Sequence, residues 1–459
     1  MKNVKHLTGA RVLVLGLGES GYAAAVLLSR LGAHVVVNDQ KPRDAVPLWK
    51  VTDLERRGVS VVLGSHPEGI VHAGLDWVVK NPGIPYSAPP VQQALALGIP
   101  VITEVELAYW VSPAPIIGIT GSNGKTTTTT LVGHMLRTDG RDVVVAGNIG
   151  RALCAAAADV RPDQLLVAEL SSFQLLGTCT FRPWIGTVLN VYPAHLDYHG
   201  TFADYQRAKG RLFANQTGAD HAVVNADCPA SAELAAGTRA TVWAFSRQRP
   251  VERGVYLRGD AAVFRGDGPE EVLFGVGDIA LPGAHNVENV LAAALIARLA
   301  GASAAAIREA VRTFRGVEHR LEFVREAGGV RFYNDSKATN PEATKRALDA
   351  FDAPIVWIAG GLDRGLSFDS LIPSLRARVK AVVAYGQTAE KILETARRAG
   401  VDRRARVETV EEAVVAAYSF AAPGDVVLLS PACASWDQFS SFEERGRMFK
   451  TAVHRLIPK

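Results

Sequence analysis

Residues 118–130 read GITGSNGKTTTTT, and the fold follows from this stretch. An apolar, β-branched run ends at Thr120, and glycines at 118, 121 and 124 open the backbone. Lys125 and Thr126 come next, and the chain continues as a helix. Glycine conformations let successive N–H groups face one anion. A lysine adds a mobile positive charge at the β and γ positions, and a hydroxyl suits Mg2+. The spacing departs from the commonest phosphate loop, since Ile119 stands where a glycine is usual and Gly118 and Gly121 take the early turns. Gly121, Ser122, Asn123, Gly124, Lys125, Thr126 and Thr127 are therefore the candidate phosphate cradle, and ATP is the expected ligand.

Around this loop, short β-branched runs alternate with amphipathic helical segments, the pattern of βαβ units on parallel sheets. Upstream lie RVLVLGLG, HVVVNDQ, LDWVVKN and IPVITEV; downstream lie DVVVAGN, QLLVAEL, IGTVLNV and HAVVNAD. A third series, RFYNDS, PIVWIAGG, AVVAYG and DVVLLSP, follows the helices of NVLAAALIARLAG and AAAIREAVRTF. The expected fold is α/β in three domains: Rossmann-like over 1–112, a central P-loop-type ATPase domain with a mostly parallel sheet over 113–316, and Rossmann-like again over 317–459.

At 459 residues the chain is about three times the usual single-domain size. Its net charge of +4 has no block of one sign, which argues against nucleic-acid or anionic-membrane partners. Four scattered cysteines, without a CxxC pair, suggest neither zinc nor disulfides and fit a reducing cytoplasm. The apolar run after Lys2 and Lys5 is short and leads into a glycine turn, as a first strand would, and no later stretch approaches the roughly 20 apolar residues of a membrane helix.

Two further features carry chemistry. GLGESG, residues 16–21, follows a strand, and Asp39 ends the next one. Read alone, this fits a dinucleotide, but any nucleotide diphosphate satisfies the same glycines, helix N-terminus and ribose-binding acid. QLLVAEL delivers Glu169 at a strand end, where a metal beside a phosphate loop needs a hard oxygen ligand. Asn190 and His195 in LNVYPAHLDYHG, and Lys209 in YQRAK, each have a bland reading as turn or surface residues.

Together, GITGSNGKTT, AGNIG, ELSSFQL, LNVYPAHLDYHG, YQRAK, LPGAHNVENVLAA, GVEHRLEF, NDSKATNP and SPACASWDQFSSFEERG resemble the Mur ligases in order and spacing, over essentially the whole chain. NDSKATN and the SPACAS segment resemble the D-glutamate-adding members in particular. The resemblance implies a cytoplasmic, monomeric enzyme that uses ATP to join D-glutamate to UDP-N-acetylmuramoyl-L-alanine in peptidoglycan precursor synthesis.

It also implies roles. The first domain would bind UDP-sugar through Ser20, Asp39, Asn81 and Gly83, with Asn148 and Ser171 toward the muramoyl substrate. Thr126, Glu169, His195 and a carbamylated Lys209 would hold two Mg2+, and Asn286 and Asn289 would hold adenine. Arg320, Asp335 and Lys337 would serve the nucleotide, and Thr339, Arg364, Ser435 and Phe442 would form the D-glutamate pocket. Lys125, Glu169, His195, Lys209 and Arg320 would be the catalytic set. Three positions depart from the family pattern: Ala194 stands where Asp is usual, Tyr198 where Arg is common, and Arg364 replaces a lysine, although a guanidinium also grips a carboxylate.

Overall fold

The computed structural model describes residues 4–281 and 284–457. Pro282 and Gly283 of the LPGAHN motif, and Lys2, lie outside the described residues. Three sheets account for all three strand series. The first contains β1 (Arg11–Leu15), β2 (His34–Asp39), β3 (Ser60–Leu63), β4 (Trp77–Lys80) and β5 (Val101–Ile102), all parallel, in the order β3-β2-β1-β4-β5. The order reverses between β1 and β4, and in such a sheet the crevice beyond the strand ends at the reversal is where ligands bind. GLGESG leaves β1 there, and Asn81 leaves β4.

The second sheet contains β6 (Ile116–Thr120), β7 (Val143–Gly147), β8 (Leu165–Glu169), β9 (Ile185–Val188), β10 (His221–Asn225) and β11 (Thr241–Ser246). It is extended by β12 (Gly254–Arg258), β13 (Ala261–Arg265) and β14 (Glu271–Gly275), and its order is β14-β13-β12-β11-β10-β9-β6-β8-β7. The strands are parallel except for the antiparallel β12-β13-β14 meander. Register pairs Ile119 with Glu169. A carboxylate forty-four residues downstream of Lys125 is thereby set beside the phosphate loop.

The third sheet contains β15 (Glu322–Ala327), β16 (Val330–Asn334), β17 (Ile355–Gly360), β18 (Val379–Tyr385), β19 (Arg403–Arg406) and β20 (Val426–Leu429), in the order β15-β16-β20-β17-β18-β19. Only the β15–β16 pair is antiparallel. NDSK, GGLDRG and SPACAS leave β16, β17 and β20 at one edge.

The chain divides into two compact units, Met1–Ala280 with Ala284–Thr313, and Leu281–Gly283 with Phe314–Lys459. The first unit thus holds two sheets. One apolar cluster runs through both, from Val12 and Leu28 by way of Leu107 and Trp110 to Leu153 and Leu166. The join is reinforced by two buried carboxylates on the helix Glu104–Val111. Glu104 accepts from the Cys154 N–H at 2.8 Å and from the Gln174 amide at 3.1 Å. Glu106, fully buried, accepts from the backbone N–H groups of Cys179, Thr180 and Phe181 at 2.8, 2.8 and 3.1 Å, and from the Thr180 hydroxyl. Burial pushes the Glu104 carboxyl upward, partly offset by these donors. No helix among the described residues is long and apolar enough to cross a membrane.

A carboxylate that satisfies three N–H groups cannot be replaced by an amide without setting donor against donor. Glu106→Gln is expected to destabilise the first unit by about 2–4 kcal/mol. Urea unfolding followed by tryptophan emission checks this, and an unchanged midpoint would show that the carboxylate is dispensable.

Candidate active site

The phosphate loop connects β6 to the helix Lys125–Thr138. Gly124 caps that helix with φ +81°, and a Cβ there would lie 2.1 Å from the Asn289 Oδ1, so both its conformation and its neighbour require glycine. Asn289 donates to Asn286 at 3.0 Å on the helix Ala284–Leu299. The two asparagines expected at adenine therefore form a pair against the loop.

Segment 190–192 braces the loop from the other side. The Asn190 carboxamide accepts from the Asn123 N–H at 2.9 Å, and the Asn190 carbonyl accepts from the Ser122 N–H at 3.0 Å. The Ser122 hydroxyl meets the Tyr192 carbonyl at 3.1 Å and the Tyr205 hydroxyl at 3.0 Å. Tyr205 is a site residue without a sequence signal, since a lone tyrosine in an amphipathic helix carries none. Asn190 was visible only as a polar residue at a strand end.

Lys125 and Lys209 both donate to one acceptor, the Gly121 carbonyl, at 2.8 and 2.9 Å. Lys209 is 1% exposed, with its Nζ 4.5 Å from the Tyr205 ring centroid. Burial, and then the Lys125 charge, hold its ammonium well below the usual lysine range, so the amine is favoured in its neutral, nucleophilic form. His195 sits in the left-handed region at φ +55°. Its pKa is lowered by burial, then by Lys125, with a smaller push from Lys209, which keeps the imidazole neutral and able to ligate.

Glu169 supplies the negative charge on this side. Its Oε1 accepts from the Asn148 amide at 2.9 Å, whereas its buried Oε2 has no hydrogen-bond partner. Asn148 is fixed in turn, because its N–H donates to the Glu169 carbonyl at 2.9 Å and Gly147, at φ +109°, leaves no room for a side chain against that carbonyl. The unpartnered Glu169 oxygen, the His195 imidazole and the buried Thr126 hydroxyl are each of a chemical kind that could ligate a divalent cation.

At the first sheet, the Asp39 carboxylate accepts from the Leu17 N–H at 2.7 Å and the Lys41 N–H at 2.9 Å. It therefore shapes the glycine loop. Ser20 lies in the first turn of the helix Glu19–Arg30. The Asn81 side chain lies against Gly16 and Gly18, where added Cβ atoms would come within 2.9 and 2.8 Å, and accepts from the Gly83 N–H at 3.1 Å. Ser171 caps the helix Ser172–Leu176 in a capping box with Gln174, which occupies its hydroxyl. A cavity of about 340 Å³ borders the 150–152 turn, lined by Tyr22, Arg30 and Arg151, and lies away from the phosphate loop.

In the second unit, Arg320 is flanked by two left-handed residues, His319 at φ +64° and Leu321 at φ +43°. Non-glycine residues held there are strained and need a surrounding structure that enforces them. The His319 ring occupies the space a Cβ on Gly446 would fill, and its Nδ1 lies 2.8 Å from the Asn334 amide. The His319 carbonyl accepts from the Lys337 N–H at 3.0 Å, and Asp335 accepts from the Leu321 N–H at 3.2 Å. Arg320, Asp335 and Lys337 are thus one strap. The Lys450 ammonium bridges Glu318 and Glu322 at 2.9 and 2.7 Å, so both carboxylates beside His319 already have a cation.

Arg445 is fully buried in this unit, and sequence reasoning missed it. It donates to the Ser336 hydroxyl and carbonyl at 2.9 and 2.8 Å, to the Cys433 carbonyl at 3.1 Å and to the Gly360 carbonyl at 3.5 Å. One guanidinium ties the loops that carry Thr339, Arg364 and Ser435. The Phe442 carbonyl accepts from Ser336 at 2.8 Å, and the Phe442 ring faces Lys337. The exposed Arg364 guanidinium stacks 4.6 Å over the Trp436 ring.

Three family models match consecutive parts of the chain: a Mur ligase MurD-like N-terminal domain over 10–103, a Mur ligase middle domain over 119–297, and a Mur ligase glutamate ligase domain over 319–433. The chain belongs to the Mur ligase family. It is 53% identical, over 99% of its length and all of the relative's, to a Geobacillus kaustophilus protein named UDP-N-acetylmuramoylalanine--D-glutamate ligase. It is 50% identical to the Bacillus cereus protein of that name, over the full length of both. Among solved structures it is similar in fold to UDP-N-acetylmuramate-alanine ligase MurC from Thermotoga maritima (TM-score 0.57, 18% identity, 97% of this chain and 99% of that one). It is similar also to MurF from Acinetobacter baumannii (0.58, 19%, 95% and 93%) and to E. coli FolC in complex with ADP (0.56, 18%, 77% and 93%).

Burial pushes the Asp335 carboxyl up to about 7, against the pull of the Ser430 hydroxyl and the Leu321 N–H. A carboxyl whose pKa rises on folding stabilises the fold below its unfolded value, and that contribution is lost as pH climbs through the folded value. The Asp335 contribution is therefore lost between about pH 4 and 7, over which the unfolding midpoint of the wild type is expected to fall relative to that of Asp335→Asn. Parallel thermal melts of the two proteins would refute this if their slopes coincide.

Proposed function

We propose that the chain joins the amine of D-glutamate to the alanine carboxylate of UDP-N-acetylmuramoyl-L-alanine, consuming ATP, as a step of peptidoglycan precursor synthesis. The observation that carries the reading is the Gly121 carbonyl, on which two lysines converge beside an unsatisfied Glu169 oxygen. That arrangement calls for a polyphosphate and a cation. Full-length kinship with proteins named for D-glutamate selects the amino acid.

In the reaction, an alanine carboxylate oxygen attacks the γ-phosphorus, and the bond to ADP breaks to give an acyl phosphate. The D-glutamate amine then attacks the acyl carbon, loses a proton, and phosphate leaves. The first step brings two anions together, so Lys125 and Arg320 serve by neutralising charge while the loop fixes position. Thr126, Glu169, His195 and Lys209, once carbamylated, would hold Mg2+, which supplies further neutralisation when bound. Carbamylation adds the neutral Lys209 amine to the carbon of CO2 and releases one proton, turning a cation into a carboxylate. An uncarbamylated, protonated Lys209 would repel the metal.

Gly121 to Gly124 and Thr127 cradle phosphate, while Asn286 and Asn289 receive adenine. Asp335 and Lys337 are assigned to the nucleotide. Ser20, Asp39, Asn81, Gly83, Asn148 and Ser171 are assigned to the UDP-sugar, and Thr339, Arg364, Ser435 and Phe442 to D-glutamate. We set the domain limits at 1–112, 113–316 and 317–459. The same reading makes the enzyme a cytoplasmic monomer without nucleic-acid or membrane partners.

With UDP-N-acetylmuramoyl-L-alanine present, phosphate release from ATP is expected with D-glutamate and not with L-glutamate, L-lysine or diaminopimelate. Release with another amino acid alone would move the specificity. Lys125→Ala is expected to lower the rate at least ~1000-fold with the fold intact. Incubation with 13C-bicarbonate should give a carbamate carbon resonance that Lys209→Arg lacks, and an identical spectrum in both proteins would remove carbamylation from the scheme.

A further inference from the structure

Lys80, the last residue of β4, is 1% exposed, and no carboxylate pairs with it among the described residues. Its Nζ donates instead to the carbonyls of Ile84 at 2.9 Å, Pro82 at 3.2 Å and Asn81 at 3.5 Å, and to the Tyr198 hydroxyl at 3.2 Å. The Tyr86 ring lies 4.8 Å from the ammonium. The Tyr198 hydroxyl itself contacts the Ile84 and Pro82 carbonyls at 2.9 and 3.2 Å.

A buried cation without a counter-ion is costly, and burial pushes Lys80 down to about 8. A methyl-ended side chain could fill the same volume without that cost. What it could not do is gather three carbonyls of a segment that has neither helix nor strand to hold it. That segment is residues 81–84, whose Asn81 side chain presses on Gly16 and Gly18 of the glycine loop. Tyr198 stands three positions after His195, so the ammonium also links this loop to the His195 segment within the same unit.

We propose that Lys80 is a positioning residue for the UDP-sugar: its ammonium and the Tyr198 hydroxyl hold the 81–84 loop in the shape that presents Asn81 and Gly83 to the ligand. This rests on the assignment of Asn81 and Gly83 to the UDP-sugar made above. The chemistry asked of Lys80 is geometric, and the ammonium touches neither substrate nor phosphate. Tyr198 supplies the hydroxyl that completes the cage.

The test is steady-state kinetics on the full chain, with KM measured separately for UDP-N-acetylmuramoyl-L-alanine, ATP and D-glutamate. Lys80→Met is expected to raise the KM for the UDP-sugar about tenfold, with the other two KM values within about twofold and kcat within about threefold. Tyr198→Phe, which keeps the ring and removes only the hydroxyl, is expected to raise the same KM about threefold. The double variant should be no worse than Lys80→Met, since both act through one cluster. If Lys80→Met does not fold, the Tyr198→Phe effect alone decides. An unchanged UDP-sugar KM, or a parallel rise in all three, would overturn the proposal. Calorimetry of the UDP-sugar with the wild type separates the two levels. No binding there would refute the loop as the substrate site, whereas wild-type binding with unaltered variants would refute Lys80 alone.

Discussion

Two amines on one carbonyl set the terms for the first unit. Lys125 arrives from the start of a helix and Lys209 from the end of another, and both reach Gly121. Burial, and then the Lys125 charge, disfavour a proton on Lys209. The cost is electrostatic rather than steric. The parallel register of β6 with β8, the brace from Asn190 and Tyr205, and the Asn289 contact on Gly124 all hold the phosphate loop where those two amines converge on it.

Backbone strain marks the same places. The non-glycine residues with positive φ among the described residues are His195, His319, Leu321 and Ala432. All four fall in segments assigned to metal, nucleotide or amino acid. Each costs on the order of 1 kcal/mol or more and persists because its surroundings enforce it. For His319, the enforcement is visible as a ring seated on Gly446 and against Asn334. Local conformational cost of this kind holds Arg320 at a fixed bearing on its own strap.

Much of this was legible in the sequence, because the decisive residues sit at strand ends. Glycine loops after β1 and β6, and Glu169 at the end of β8, are patterns of spacing that one strand reveals by itself. The strands without a clear sequence signal have physical reasons: β3 is short and half-buried, β15 is a charged edge run, β19 is the charged edge run RRAR, and β11 to β14 form a sheet extension without phosphate-loop signals. The residues that remained hidden act across large sequence distances. Nothing near Lys80 says that its ammonium will meet Tyr198, 118 positions away, and nothing in FEERG says that its arginine will be buried. Buried polar partners are the product of tertiary packing, which no local pattern encodes. The fusion of the first two sheets into one unit has the same origin, in the carboxylates of Glu104 and Glu106.

Arg445 has a consequence for how the chain comes into being. The loops it ties, around Ser336, Gly360 and Cys433, all precede it in the sequence. During synthesis from the N-terminus, the strands of the third sheet emerge before the side chain that locks their ends. The first unit, whose last helix ends at Thr313, is by then already outside the ribosome and free to fold. The nascent chain therefore has the glycine loop after β6 in place well before the strand ends of the third sheet are tied, and order of synthesis separates the two units in time.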